Sequence, residues 1–235
     1  MNHYDVVTFD MGHTLIYFHP SENELCLAAF HSLGLCPDLE AVRRARDLAW
    51  AEYFSNAACV TFEPSEARDR EIDERLTRQL LGHLGLQAPD LVAPLMAAMK
   101  AVFRQPGAVR LYPEVAAVLQ TLRARGCALG VISNWSWDLH DYVQQLGLAD
   151  HLDVIVGSAR AGCDKPHPEI FRQALQALNS PAERAIHIGD SYEADVVGAR
   201  GVGMAALWLD RMGRGGHADC RAIRDLSEVL EVVLA

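Results

Sequence analysis

Six polar positions in this 235-residue chain stand out because they close, follow or lie between short apolar runs. Asp10 follows Tyr4 to Phe9. Ser133 and Asn134 end the run that starts at Ala128, and Asp190 follows Ala185 to Gly189, with Asp195 a further turn along the chain. Lys165-Pro166 opens another helical stretch between them. In an open parallel sheet, ligands collect at the carboxyl ends of the strands, so these side chains are expected to converge on one edge. Two carboxylates on neighbouring strand ends with a lysine between them suit a hard cation and an anionic substrate. Mg²⁺ takes oxygen ligands and keeps several waters, so two carboxylates and one backbone carbonyl would suffice.

The elements that must carry these residues can be read from hydrophobic periodicity. After the first strand, the pattern from about residue 18 to 105 is helical throughout. Ser21 with Glu24 forms a capping box, Asp38 caps a helix with Leu39, Val42, Ala45, Ala49 and Tyr53 on one stripe, Ser65 precedes a charged helix closed by Gly85, and Asp90 is expected to cap a fourth. From Tyr112 onward, strands at 128–133, 153–156, 185–189 and 204–209 alternate with helices at 113–125, 138–147, 168–178, 192–200 and from about 225. Alternation of this kind argues for a parallel sheet covered on both faces. The expected fold is α/β: a Rossmann-like parallel sheet of about five strands formed by residues 1–17 and 106–235, with residues 18–105 inserted after the first strand.

The formal net charge of −10 argues against nucleic acid or an anionic membrane surface as the main partner, since both call for a basic face. A small anion is still acceptable, because a bound divalent cation inverts the local field. The six cysteines are scattered and form no C-x-x-C pair, which fits reduced thiols better than a disulfide framework. The N-terminus enters a strand without a charged, then apolar, leader, and no apolar run reaches the length of a membrane span. These features lead us to expect a soluble, cytoplasmic protein.

Four segments together resemble the motifs of the haloacid dehalogenase-like superfamily. Asp10-Met11-Gly12-His13-Thr14-Leu15 resembles the first, D-x-D-G-T-L; Ile132-Ser133-Asn134 the second; Lys165-Pro166-His167-Pro168-Glu169-Ile170-Phe171 the third; and Gly189-Asp190-Ser191-Tyr192-Glu193-Ala194-Asp195 the fourth. The order and spacing match across nearly the whole chain, and the inserted block corresponds to a helical cap. The resemblance implies a Mg²⁺-dependent phosphatase acting on a small phosphorylated metabolite. In it Asp10 is the nucleophile and a metal ligand, and Ser133 with Asn134 holds the phosphoryl oxygens. Lys165 neutralises the aspartyl-phosphate, Asp190 and the Gly12 carbonyl complete the metal set, and Asp195 supports Lys165 or a metal-bound water.

One departure bears on turnover. Phosphatases of the family carry an aspartate two residues after the nucleophile to protonate the leaving group and activate water; here that position is Gly12, followed by His13. General acid–base catalysis is worth about 10²–10⁴-fold. A slow phosphatase, one whose acid/base is His13, and a non-catalytic or regulatory protein that binds phosphorylated ligands are all compatible with the motifs. Dehalogenation is a further alternative, although a metal-ligating Asp190 has no place in it. Phosphonate cleavage would need a cap lysine, for which Lys100 is the candidate. His167 reads as a helix-start residue and His187 as a core residue. Trp135 and Trp137 either line the cleft or pack, and the Arg43-Arg44-Arg46 cluster reads as a solvated helix face.

Overall fold

The computed structural model describes residues 4–55, 57–86, 88–215, 217 and 219–234. The chain divides into two compact units, one formed by 1–16, 57–64 and 111–235 and the other by 17–56 and 65–110.

The first unit is built on a six-stranded sheet. Its strands are β1 (Val6–Phe9), β4 (Ala128–Ser133), β5 (Val154–Gly157), β6 (Ala185–Gly189), β7 (Ala205–Leu209) and the short β8 (Ala222–Ile223), in the spatial order β5-β4-β1-β6-β7-β8. Every pairing is parallel. Strands β2 (Ile16–Phe18) and β3 (Val109–Leu111) form a separate two-stranded sheet where the chain leaves and re-enters this unit. The four interior strands of the main sheet are mostly apolar, as burial on both faces requires, with Thr8, Ser133 and His187 as their buried polar residues. Ile132, Ile170, Phe171, Ala185 and Ala199 lie in one core on the sheet. The chain runs outward from β1 to β4 and β5, then returns to lay β6 on the other side of β1. The switch point of the sheet therefore falls between β1 and β6, where such folds bind ligands.

The second unit holds α1 (Glu22–Ser32), α2 (Leu39–Phe54), α3 (Glu66–His83) and α4 (Val92–Phe103) around Leu25, Phe30, Val42, Leu80, Leu81 and Leu95. The caps follow the sequence at three of the four starts. Ser21 and Glu24 form both bonds of a capping box, Asp38 accepts from Ala41 N at 2.8 Å, and Ser65 accepts from Arg68 N at 3.1 Å. Asp90 does not cap α4; it sits inside a 3₁₀ turn, Pro89–Leu91, and Leu91 at the helix start has no side-chain acceptor to offer. Residues 57–64, expected among the inserted helices, instead belong with the sheet unit, where Phe62 N donates to Gly162 O at 2.7 Å.

Around the sheet lie α5 (Val115–Ala124), α6 (Leu139–Gln145), α7 (Ser158–Ala161), α8 (Pro168–Ala177), α9 (Gly198–Gly201) and α10 (Val229–Val233). The helix expected at 192–200 begins as a π-turn, Tyr192–Val197, before α9. Wider turns of this kind recur at functional sites, and this one carries Asp195.

Candidate active site

Register places the polar residues side by side. Phe9 lies opposite Val131 of β4 and Ile188 of β6, so the residues after those strand ends meet across the centre of the sheet. Asp10 leaves β1 with its amide still bonded to Ile188 O at 2.9 Å, which fixes its Cα–Cβ direction. Its Oδ1 accepts from Ser133 Oγ at 2.9 Å and from Lys165 Nζ at 2.6 Å. Both contacts fall on one oxygen.

Lys165 is only 2% exposed, and its three ammonium hydrogens have three acceptors: Asp10 Oδ1, Asp195 Oδ1 at 2.6 Å and the carbonyl of Ile132 at 2.8 Å. Burial works against the charge, but the two carboxylates outweigh it and hold the ammonium above its ordinary pKa. Removing one partner from a group buried this deeply leaves an uncompensated charge, so the set stands or falls together.

Asp195 reaches Lys165 because of the π-turn. Its carboxylate folds back over Gly189, and a Cβ at that glycine would lie 2.1 Å from the Asp195 carboxylate, so no other residue fits there. Oδ2 of Asp195 accepts from Ser191 N at 2.9 Å, while Oδ1 takes Lys165 and, at 3.2 Å, His187 Nε2. Burial disfavours its ionised form, yet Lys165 and His187 more than offset that and hold the carboxyl well below the usual range.

Asp190 is a contrasting case. Burial first, then the like charges of Asp10 and Asp195, push its carboxyl up to about 7. One carboxylate oxygen from each of Asp10, Asp190 and Asp195 lies within 4.8 Å of the others. A dense set of hard oxygen donors with one carboxyl destabilised by its own kind is what a small divalent cation would relieve. Because both Asp195 oxygens are committed to hydrogen bonds, Asp10 and Asp190 are the better ligands of the three. The main chain of Asp190 is held by Trp208 Nε1, which donates to its carbonyl at 3.0 Å.

Asn134 lies against the main chain of Lys165. Its amide is spent on the Lys165 main chain, accepting from Lys165 N at 2.6 Å and donating to Lys165 O at 3.0 Å. It sets where Lys165 leaves the backbone. Ser133, expected beside the phosphoryl oxygens, donates to Asp10. Gly12 has ordinary φ, and a Cβ built on it would meet only Trp135, at 3.9 Å. His13 is exposed and takes a left-handed φ of 54°, a conformation that suits the glycine usual at that motif position better than histidine.

His167 caps α8, its Nδ1 accepting from Glu169 N at 3.2 Å. Trp135 packs edge-on against Tyr142, and Trp137 lies under the Arg160 guanidinium. Sequence reasoning missed two residues. Arg211 donates to the carbonyls of Thr14 and His13 (2.8 and 3.3 Å), pairs with Glu114 at 2.7 Å and stacks 3.5 Å above the Tyr112 ring. His187 joins the Asp195 network from inside the sheet.

A family model for haloacid dehalogenase-like hydrolases matches residues 4–203, a span that contains Asp10, Ser133, Asn134, Lys165, His187, Asp190 and Asp195. The chain belongs to that family. It is 33% identical over 210 residues to a phosphoserine phosphatase of Thermus thermophilus, covering 88% of this chain and 81% of that protein. It spans about half the length of other curated relatives it matches. Among solved structures it resembles a 2-haloacid dehalogenase of Pseudomonas syringae (28% identity, TM-score 0.69, 98% of each chain). It also resembles a putative hydrolase of the family from Bacillus subtilis bound to magnesium (18% identity, TM-score 0.79, 99% of this chain and 100% of that one). The last likeness concerns the fold. Among the described residues, no helix is long and apolar enough to cross a membrane.

Proposed function

We propose that this hydrolase cleaves a small phosphate monoester by attack of Asp10 on phosphorus, with Mg²⁺ held by Asp10, Asp190 and the carbonyl of Gly12. The observation that carries the reading is the buried Lys165 ammonium bridging Asp10 and Asp195 at 2.6 Å each, beside an Asp190 carboxyl that its neighbours push up to about 7. A fixed cation at the nucleophile is suited to an aspartyl-phosphate, whose extra negative charge it meets without reorganisation. A bound Mg²⁺ supplies charge neutralisation for the phosphoryl oxygens. Asp10 presents its carboxylate as nucleophile, Ser133 steadies it and can turn toward a phosphoryl oxygen, and Asn134 holds the Lys165 main chain. The likeness to a phosphoserine phosphatase favours a small, polar phosphorylated metabolite as substrate. We assign the role of cap to the helical unit.

Gly12 favours a second reading. Without a carboxylate there, the leaving oxygen and the hydrolytic water lack the usual proton-transfer group, and a protein that binds phosphorylated ligands with little turnover becomes the alternative. The measurement that separates them is release of inorganic phosphate from a panel of phosphate esters, with and without Mg²⁺, for the wild type and Asp10→Asn. Hydrolysis that needs both Mg²⁺ and Asp10 supports the first reading; ester binding without phosphate release supports the second.

A further inference from the structure

His187 lies in the middle of β6, wholly buried, in a strand otherwise built of apolar residues and glycine. A buried imidazole has to be satisfied at both ring nitrogens or it costs stability. Here both have partners. Nε2 lies 3.2 Å from Asp195 Oδ1, and Nδ1 lies 2.9 Å from the hydroxyl of Thr8, its register neighbour on β1. The Phe171 ring packs against the imidazole edge-to-face, with ring centroids 5.3 Å apart.

The partners decide the protons. Asp195 is an ionised acceptor bonded to Lys165, so a bare Nε2 would set two acceptors face to face; Nε2 carries hydrogen. The Thr8 hydroxyl has two acceptors in range, Nδ1 at 2.9 Å and the Ile186 carbonyl at 3.4 Å, and the shorter contact takes its single proton. Burial also disfavours a second proton on the ring and draws the imidazole below its usual pKa. The result is one directed chain of hydrogen bonds, from Thr8 through His187 to Asp195. Lys165 donates into the same Asp195 oxygen and, with another hydrogen, into Asp10.

We propose that His187 is a positioning residue for Lys165: held as the neutral Nε2–H tautomer by Thr8, it donates to Asp195 and fixes the oxygen that anchors the ammonium against Asp10. The inference rests on the phosphatase reading for its kinetic consequence but not for the tautomer. Partners at this remove orient the groups that touch the reacting atoms, and their loss typically costs about 10–100-fold in activity.

The test uses the full chain labelled with ¹⁵N-histidine and long-range ¹H–¹⁵N correlation at neutral pH, without substrate. One protonated nitrogen assigned to Nε2 and one bare Nδ1 are expected for His187; a doubly protonated ring, or a proton on Nδ1 alone, overturns the proposal. Kinetics with a phosphate ester supply the second arm. His187→Leu is expected to lower kcat by about 10-fold or more with little change in KM. His187→Gln, whose amide nitrogen can reach the Nε2 position, is expected to recover most of the loss. Thr8→Val should lower kcat in the same direction and Thr8→Ser restore it, which keeps the arm usable if His187→Leu does not fold. Equal kcat for His187→Leu and wild type, or equal loss in the Leu and Gln variants, would also overturn it. A wild-type chain that hydrolyses no ester would sink the phosphatase reading, while the ring nitrogens still decide His187.

Discussion

Lys165 Nζ lies 2.6 Å from Asp195 Oδ1, and that contact exists because Gly189 leaves the space above it empty. The strand-end glycine and the π-turn carboxylate are one device: the first has no side chain so that the second can fold back under the lysine. Gly189→Ala would put a methyl group 2.1 Å from the Asp195 carboxylate. Either the π-turn shifts or the strand end does, and the Lys165 ammonium loses an acceptor in a buried place. We expect a loss of about 3 kcal/mol, the upper range for overpacking, measured by urea denaturation, together with loss of most phosphatase activity. A variant as stable and active as wild type would show that the turn adapts freely.

Asp190 is expected to trade stability for metal binding. In the metal-free chain its folded-state carboxyl sits near 7 instead of 3.8, so between those values the folded chain holds a proton that the unfolded chain releases. Stability therefore falls as pH rises through that window, and at pH about 8 the full penalty is present. In EDTA at that pH, Asp190→Asn should be more stable than wild type by on the order of 2 kcal/mol, read as a higher Tm. Adding Mg²⁺ should raise the Tm of the wild type and leave the variant almost unmoved, because only a ligand that binds the folded state stabilises it. Equal Mg²⁺ shifts in both chains would remove Asp190 from the metal site.

Much of this site was legible before the structure because its chemistry is local to strand ends. Asp10, Ser133, Lys165 and Asp190 each close an apolar run or open a helix, and a parallel sheet brings such positions together whatever the rest of the chain does. What could not be read was the partner of each. Asn134 stands next to Ser133 in the motif, yet its amide faces the Lys165 main chain, a pairing across 31 positions that no periodicity encodes. His187 looked like core because it is core; only the register of β1 against β6 puts Thr8 at one of its nitrogens, and only the π-turn puts Asp195 at the other. The capping signals Ser21, Asp38 and Ser65 succeeded because a cap and its donor are three residues apart, whereas Asp90 failed when Pro89 started a tighter turn first.

Arg211 is expected to hold the loop that follows the nucleophile. It donates to the carbonyls of His13 and Thr14, almost 200 positions away in sequence, and is itself oriented by Glu114 and the Tyr112 ring. The side chains of the ion pair are 15% and 17% exposed, so truncation strands a carboxylate in a mostly dry place. Arg211→Ala should cost about 2 kcal/mol, below the figure for a wholly buried pair because some solvent reaches it. Arg211→Lys should keep the charge but lose the fork that spans two carbonyls, giving an intermediate melting temperature and a reduced kcat. Identical melting curves for the Ala variant and wild type would remove this role.

The last prediction concerns Gly12, which stands where the D-x-D-G-T-L motif has its second aspartate. If the missing proton-transfer group alone limits turnover, Gly12→Asp should raise the rate of ester hydrolysis. The backbone permits it: φ at Gly12 is ordinary, and a Cβ would meet only Trp135, at 3.9 Å. A gain of about 10²-fold is expected, the lower end of what general acid–base catalysis supplies. It stays at the lower end because His13 follows with a left-handed φ of 54°, which constrains how the loop can aim a new carboxylate. Asp10→Asn in the same background should abolish the gain, since the nucleophile would be gone. His13→Ala in the wild type tests the competing idea that the imidazole already moves the proton. The imidazole is exposed, and its positive form would help to lower the Asp190 carboxyl, so it is near enough to be felt there. A steady-state assay with one good ester decides between them: a large gain from Gly12→Asp with little effect of His13→Ala identifies a handicapped phosphatase. No gain from Gly12→Asp, with activity lost in His13→Ala, means that the acid/base has moved by one residue.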